Sequence, residues 1–201
     1  MINAGRLNRD VVTIGGSAGS IEALLRIFEK LPANLAAAVT VVVHRPPFFQ
    51  SQLAQIFNRR ASLPVAEPED GESLERGRVY LAPRDRHMVM EDGHIRLNRE
   101  PQQHRFRPAV DALFLSAARA YGPRVIGVLL SGGGTDGVRG LIAIKAAGGI
   151  SMVQDPKEAR NPSMPAMAIA EDDVDAVLRL DEIAAALGTL TAGGTLERRA
   201  R

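Results

Sequence analysis

The sequence predicts an α/β fold: a doubly wound, mostly parallel sheet with helices on both faces and a small antiparallel hairpin at about residues 78–97. Three observations carry this. The runs Val11–Ile14, Val39–Val43 and Val125–Leu130 are continuously apolar rather than alternating, as strands covered on both faces are. The first is followed by Ile21, Leu24, Leu25, Phe28 and Leu31, apolar residues at helical spacing. The unit of strand, glycine turn and helix then recurs over 125–147. Strands separated by helices form right-handed crossovers in a parallel sheet.

In order, residues 1–10 read as a polar lead-in, 11–15 as the first strand and 19–31 as the first helix, stopped by Pro32. A second strand, 39–43, ends in His44-Arg45-Pro46-Pro47. Residues 50–60 form a helix with Leu53, Ile56 and Phe57 on one face. Short strand-like pieces at 78–81 and 87–90 sit among turn residues, and Asp92-Gly93 is a hairpin signal. Residues 101–106 make a polar, basic loop, and a helix follows with Pro108 in its first turn. Beyond the strand 125–130 come a glycine turn at 131–137, a helix to 147 and a strand at 150–153. A loop at 154–162, a helix at 164–170, a strand at 174–177 and a helix at 180–190 complete the domain, 11–190. The tail, 191–201, is expected to be flexible and basic.

With 201 residues the chain suits one α/β domain with a buried core. Hydrophobic content of 45% and charged content of 24% are ordinary for a globular protein. Lys and Arg number 25 against 23 Asp and Glu, and a net charge of +2 gives no reason to expect nucleic acid. The absence of cysteine excludes disulfides, thiol nucleophiles and cysteine-held zinc. The first ten residues lack an apolar signal core, and the run 35–43 falls short of the ~20 residues that cross a bilayer. A cytoplasmic location without membrane insertion is expected.

In doubly wound sheets ligands sit at the carboxyl ends of the strands. Three polar residues fall there: Ser17, His44 and Asp136. Gly15-x-Ser17-x-Gly19 fits a nucleophile elbow, with the serine on a tight turn beside a helix N-terminus that favours negative charge. His44 is then the base, Asp136 the carboxylate that orients it, and the Ala18 N–H an oxyanion donor.

Plainer readings exist. Ser17 and Asp136 can each be helix caps, and a single histidine at a strand end is commonly structural. Gly132-x-Gly134-x-x-Gly137 also has the form of a dinucleotide fingerprint, with Asp155 as the ribose acid. Against that, Asp136 points a carboxylate at the pyrophosphate. His87, His94 and His104 show no paired helical spacing, so no metal site is expected. Arg105, Arg107 and Asp85 either line the mouth of the site or form a solvated rim.

Ordered blocks along nearly the whole chain resemble the catalytic domain of the CheB protein-glutamate methylesterases. They are Ile14–Gly19, His44–Pro47, Glu69–Glu72, Val79–Met88, Arg107–Phe114 and Ser131–Gly137. The resemblance implies a serine esterase in which Ser17, His44 and Asp136 match the triad, with no cofactor and no metal. It implies a protein substrate, a glutamate γ-methyl ester on the cytoplasmic helices of a methyl-accepting chemotaxis receptor; some members also deamidate glutamine. Relatives commonly carry threonine where Ala18 stands, glycine at Ser20, methionine at Gly133, which shapes the oxyanion turn, and histidine at Phe106. No receiver domain is expected within these residues, which leaves a separate receiver protein as a candidate partner. A catalytically weak domain used for binding or regulation is the alternative expectation.

Overall fold

The computed structural model describes residues 8–45, 52–172 and 174–196. The residues before 8, Pro46, Pro47, the start of the helix expected at 50–60 and the end of the basic tail lie outside them.

The chain runs β1 (Val11–Gly16), α1 (Ser20–Lys30), β2 (Ala38–Val43), α2 (Leu53–Asn58), β3 (Val65–Ala66), β4 (Val79–Leu81), β5 (His87–Glu91) and β6 (His94–Asn98). Then come α3 (Val110–Tyr121), a 3-10 turn at Gly122–Arg124, β7 (Val125–Leu129), α4 (Val138–Ala146), β8 (Ile150–Gln154), α5 (Ser163–Glu171), β9 (Ala176–Leu178) and α6 (Leu180–Thr191). Seven strands pair in parallel in the order β3-β4-β2-β1-β7-β8-β9, giving the mostly parallel sheet that the sequence predicts. The chain winds outward from β1 through β2, then restarts at β7 on the other side of β1. The strand order therefore reverses between β1 and β7, and the crevice outside their carboxyl ends is where such folds hold ligands.

Within 78–97 the antiparallel part is narrower than expected. Only β5 and β6 pair that way, from His87 with Asn98 to Glu91 with His94. Asp92 and Gly93 both have positive φ, 47° and 83°, which matches the twist of a two-residue hairpin. Residues 79–81 instead lie beside β2 in the parallel sheet. All three are buried, so their apolar run belongs to a strand covered on both faces. Pro108 also stands before α3 rather than in its first turn, because the helix opens at Val110.

Two cores fill the two faces. Val12 and Ile14 of β1 pack with Leu24, Ile27 and Phe28 of α1, Phe57 of α2 and Ile183 and Leu187 of α6. Val11, facing the other way, joins Leu113 and Phe114 of α3, Leu141 and Ile144 of α4, Met164 of α5 and Met88 and Ile95 of the hairpin. Arg26 and Lys30 of α1 bond Asp181 of α6 and hold its carboxyl down to about 2.

Two glycines set how close α3 comes to the crevice. A Cβ on Gly15 would lie 2.2 Å from Val110 Cγ1, and one on Gly140 would lie 2.3 Å from Phe114 Cβ. Without side chains there, the N-terminus of α3 rests directly against β1 and α4.

Candidate active site

β1 ends in a turn that leaves Ser17 exposed to the crevice. Gly19, at φ 85°, supplies the left-handed step into α1. The Ser17 N–H donates to the Ser131 carbonyl at 2.9 Å, fixing the elbow to the end of β7. The cap reading fails at Ser17. Gly19 is the residue before α1, and it is the Ser20 hydroxyl that bonds back to the Ser17 carbonyl, at 2.7 Å. The Ser17 hydroxyl bonds to no group among the described residues and faces a cavity of about 670 Å³. The serine at position 20 thus stiffens the elbow from inside.

His44 follows β2 in the same cavity. Its Nε2–H donates to Asp136 Oδ2 at 2.6 Å, with the two side chains 3% and 1% exposed. Nε2 is thus engaged. Of the two ring nitrogens, Nδ1, which is buried, is therefore the one left without a hydrogen-bond partner among the described residues.

Asp136 sits in the turn after β7, but it caps a different helix from the one that follows it. Its Oδ2 accepts the Val110 N–H at 2.8 Å and its Oδ1 the Asp111 N–H at 2.9 Å, the first amides of α3. A carboxylate there satisfies orphan donors and meets the positive end of the helix dipole. Asp111 returns the arrangement: its Oδ1 accepts the Gly137 and Gly140 N–H groups at 3.0 and 2.8 Å, at the start of α4. Its Oδ2 accepts from His104 Nε2 at 2.8 Å. Burial pushes the Asp111 carboxyl up and the neighbouring Asp136 charge adds to that, against the pull of the Gly140 N–H and His104. Sequence reasoning missed Asp111 and His104, whose partners lie 25 or more residues away or in a loop.

His104, Asp111 and Asp136 bring ligand atoms within 4.8 Å of one another. Each of the four carboxylate oxygens already accepts an N–H, so the group fits a capping network better than a metal cradle.

The turn 131–134 packs against the elbow, where a Cβ on Gly132 would lie 2.9 Å from Ser17 Cβ. Ser131 is fully buried and its hydroxyl joins three segments. It donates to the Ala18 carbonyl at 2.7 Å and accepts the Asn161 N–H at 2.9 Å. The N–H groups of Ala18 and Gly133 donate to no group among the described residues. A Cβ on Gly133 would meet only Asn161 Nδ2, at 3.4 Å. Asp155 accepts the Lys157 N–H at 2.9 Å within its own loop, and Asp136 is turned toward His44, so neither acid is set as a dinucleotide requires.

Arg105 and Arg107 line the cavity, while Asp85 does not. Arg107 bonds Asp85 at 2.6 Å and the Arg99 and Glu100 carbonyls, which pins the 99–107 loop. Phe106 lies flat on the His44 ring, with centroids 3.6 Å apart and planes 9° apart. His87 is structural: Nε2–H donates to the Pro101 carbonyl and Nδ1 accepts the Ala109 N–H. His94 lies on the far hairpin, bonded to the Asp92 carbonyl.

Residues 12–187 match the family model for the CheB methylesterase. The chain is 38% identical over 198 residues to the protein-glutamate methylesterase/protein-glutamine glutaminase of Pyrococcus abyssi, covering 94% of this chain and 54% of that protein. It is 42% identical over 182 residues to the second such protein of Anaeromyxobacter dehalogenans, covering 90% of this chain and 53% of that one. The chain thus spans about half the length of the curated relatives it matches. The crystal structure of the Thermotoga maritima CheB methylesterase catalytic domain superposes with a TM-score of 0.86 at 35% identity, over 90% of this chain and 98% of that one. A sheet wound outward from β1 and β7, a serine elbow at their crevice and a family match over most of the length agree, and the chain belongs to the CheB methylesterase family.

Proposed function

We propose that this protein hydrolyses glutamate γ-methyl esters on protein substrates, the cytoplasmic helices of methyl-accepting chemotaxis receptors. Ser17 Oγ attacks the ester carbonyl while His44 Nδ1 takes its proton. The Nε2–H bond to Asp136 holds the tautomer and stabilises the imidazolium that forms. The Ala18 and Gly133 N–H groups, which donate to no group among the described residues, are the donors proposed for the developing oxyanion. The proton on Nδ1 then passes to methanol as it leaves. Water, deprotonated by the same nitrogen, hydrolyses the acyl-serine and frees the glutamate. A glutamine side chain follows the same path with ammonia as leaving group. No step calls for a cofactor.

The single observation behind this reading is the buried His44–Asp136 pair at 2.6 Å, whose histidine lines the cavity that the Ser17 hydroxyl faces. Family membership and the names of the relatives support the substrate. The catalysis belongs to a cytoplasmic protein, and a separate receiver protein is the partner proposed for its control.

A fluorophosphonate probe should label Ser17, and methanol should be released from methylated receptor by the wild type. Ser17→Ala should lose both. Labelling without methanol release would favour the alternative of a binding or regulatory domain. Release that survives Ser17→Ala would refute the serine mechanism.

A further inference from the structure

The His44 imidazole is held along one edge only. Nε2 is bonded to Asp136, and Nδ1 has no hydrogen-bond partner among the described residues. Across the face of the ring lies Phe106, parallel to the imidazole at 3.6 Å. Phe106 is itself 36% exposed, yet the histidine side chain beneath it is only 3% exposed. The phenyl ring therefore covers His44 while spending much of its own surface on solvent, an arrangement that core packing alone does not favour.

The segment that presents this ring is built for a fixed position. Gln103 and Phe106 exchange backbone hydrogen bonds, at 3.1 and 2.8 Å. Between them His104 and Arg105 both take positive φ, 50° and 69°, which costs energy in residues other than glycine. His104 is anchored on Asp111, the residue that caps α4, and Arg107 on Asp85. A strained two-residue turn tied down on both sides thus carries one aromatic ring onto the proposed base.

We propose that Phe106 is a positioning residue, whose ring keeps the His44 imidazole in its reactive plane and stabilises its protonated form during turnover. This rests on the function proposed above. A π-face attracts a cation more than a neutral ring. His44 is neutral before attack and an imidazolium as the tetrahedral intermediate forms. The contact therefore strengthens along the reaction and acts on kcat rather than on KM. The groups that face His44 from the surrounding elements are Asp136 on its Nε2 side, with Asp111 and His104 behind it, and Arg45, Arg105, Arg107, Arg160 and Glu22 on the cavity walls. None of them changes when the phenyl ring alone is replaced.

Phe106→Leu keeps an apolar side chain but removes the π-face, and Phe106→Tyr keeps both. Methanol release from methylated receptor should give Phe106→Leu a kcat about tenfold lower, the equivalent of ~1.4 kcal/mol, with KM little changed. Phe106→Tyr should match the wild type. A second readout needs no activity. In the full chain carrying Ser17→Ala and 15N-labelled histidine, the NMR titration midpoint of His44 should be lower with Phe106→Leu than with Phe106. Phe106→Met repeats both comparisons if the leucine variant fails to fold. A midpoint for the ring-free variants at or above that of the parent overturns the proposal. So does loss of kcat in Phe106→Tyr equal to that in Phe106→Leu. If the wild type releases no methanol, the proposed function fails, and the titration still decides the role of Phe106.

Discussion

Asp111 and Asp136 cap each other's helices. Asp136, in the turn before α4, accepts the opening amides of α3, and Asp111, in the first turn of α3, accepts the opening amides of α4. The exchange places the proposed triad carboxylate by two backbone bonds that do not depend on His44. It also sets two buried carboxylates side by side, which burial and mutual charge make costly.

That cost gives the first prediction. The folded Asp111 carboxyl titrates above its unfolded value, so its stabilising contribution is present below about pH 3.9 and is lost as pH rises through the raised value. Asp111→Asn keeps the Oδ1 that takes both α4 amides, and its Nδ2–H donates to His104 Nε2 once that ring carries its proton on Nδ1. We expect it to be at least as stable as the wild type at pH 7 in urea unfolding, with the gap closing toward acid. Asp111→Ala leaves both amides uncapped and should be about 2 kcal/mol less stable. A less stable asparagine variant at pH 7 would show that the charge at 111 is needed for the fold.

At the opposite end of the sheet Asp10 behaves in the reverse sense. Burial raises its carboxyl, but hydrogen bonds from Arg124 and Arg76 outweigh that and the net is a lowering. Its contribution is present above the unfolded carboxyl range and disappears as pH falls through the lowered value. Asp10→Asn should cost about 2 kcal/mol at neutral pH, and nothing at the acid end of the stability curve. Because Asp10 stands at the amino end of β1, away from the crevice, kcat should not change. A loss of activity at constant stability would contradict this.

The contact of Gly15 with Val110 makes a steric prediction. A methyl group on Gly15 has no room beside Val110, so Gly15→Ala should cost about 2 kcal/mol and shift the α3 amides that hold Asp136. Trimming the obstacle in Gly15→Ala/Val110→Ala should recover stability relative to the sum of the single changes. Thermal unfolding of the four variants measures this coupling, and simple additivity would mean that the helix moves without strain.

How much of this is readable beforehand depends on range. β1, β2 and β7 announce themselves by unbroken β-branched runs, and the hairpin by Asp92-Gly93, because these are local signals. The strand-end rule puts Ser17, His44 and Asp136 at one crevice without any distance being known. β4 is misleading, since three apolar residues look the same in a hairpin and in a parallel sheet. The two-residue β3 is too short to carry a pattern. The exchange between Asp111 and Asp136, the ring of Phe106 on His44 and the bonding of Asp136 to Nε2 rather than Nδ1 are all tertiary. They depend on how closely α3 approaches β1 and β7, which Gly15 and Gly140 permit but do not advertise.

Ser131 gives the last prediction. Its hydroxyl bridges the elbow and the 159–162 loop, donating to the Ala18 carbonyl and accepting the Asn161 N–H. Ser131→Ala leaves a part-buried amide and carbonyl without this partner, a loss of about 1 kcal/mol. The elbow is also held by the Ser17 N–H and the Ser131 carbonyl, and that backbone bond survives the substitution. We therefore expect a folded protein whose Ala18 amide is less well fixed. An oxyanion donor displaced by a fraction of an ångström weakens the transition state more than the bound substrate. The kcat for ester hydrolysis should fall about tenfold or more while KM stays close to that of the wild type. Ser131→Thr, which restores the hydroxyl, should recover part of the rate if its methyl group is accommodated. A drop confined to KM would instead place Ser131 in substrate binding, and unchanged kinetics would show that the backbone bond alone holds the elbow.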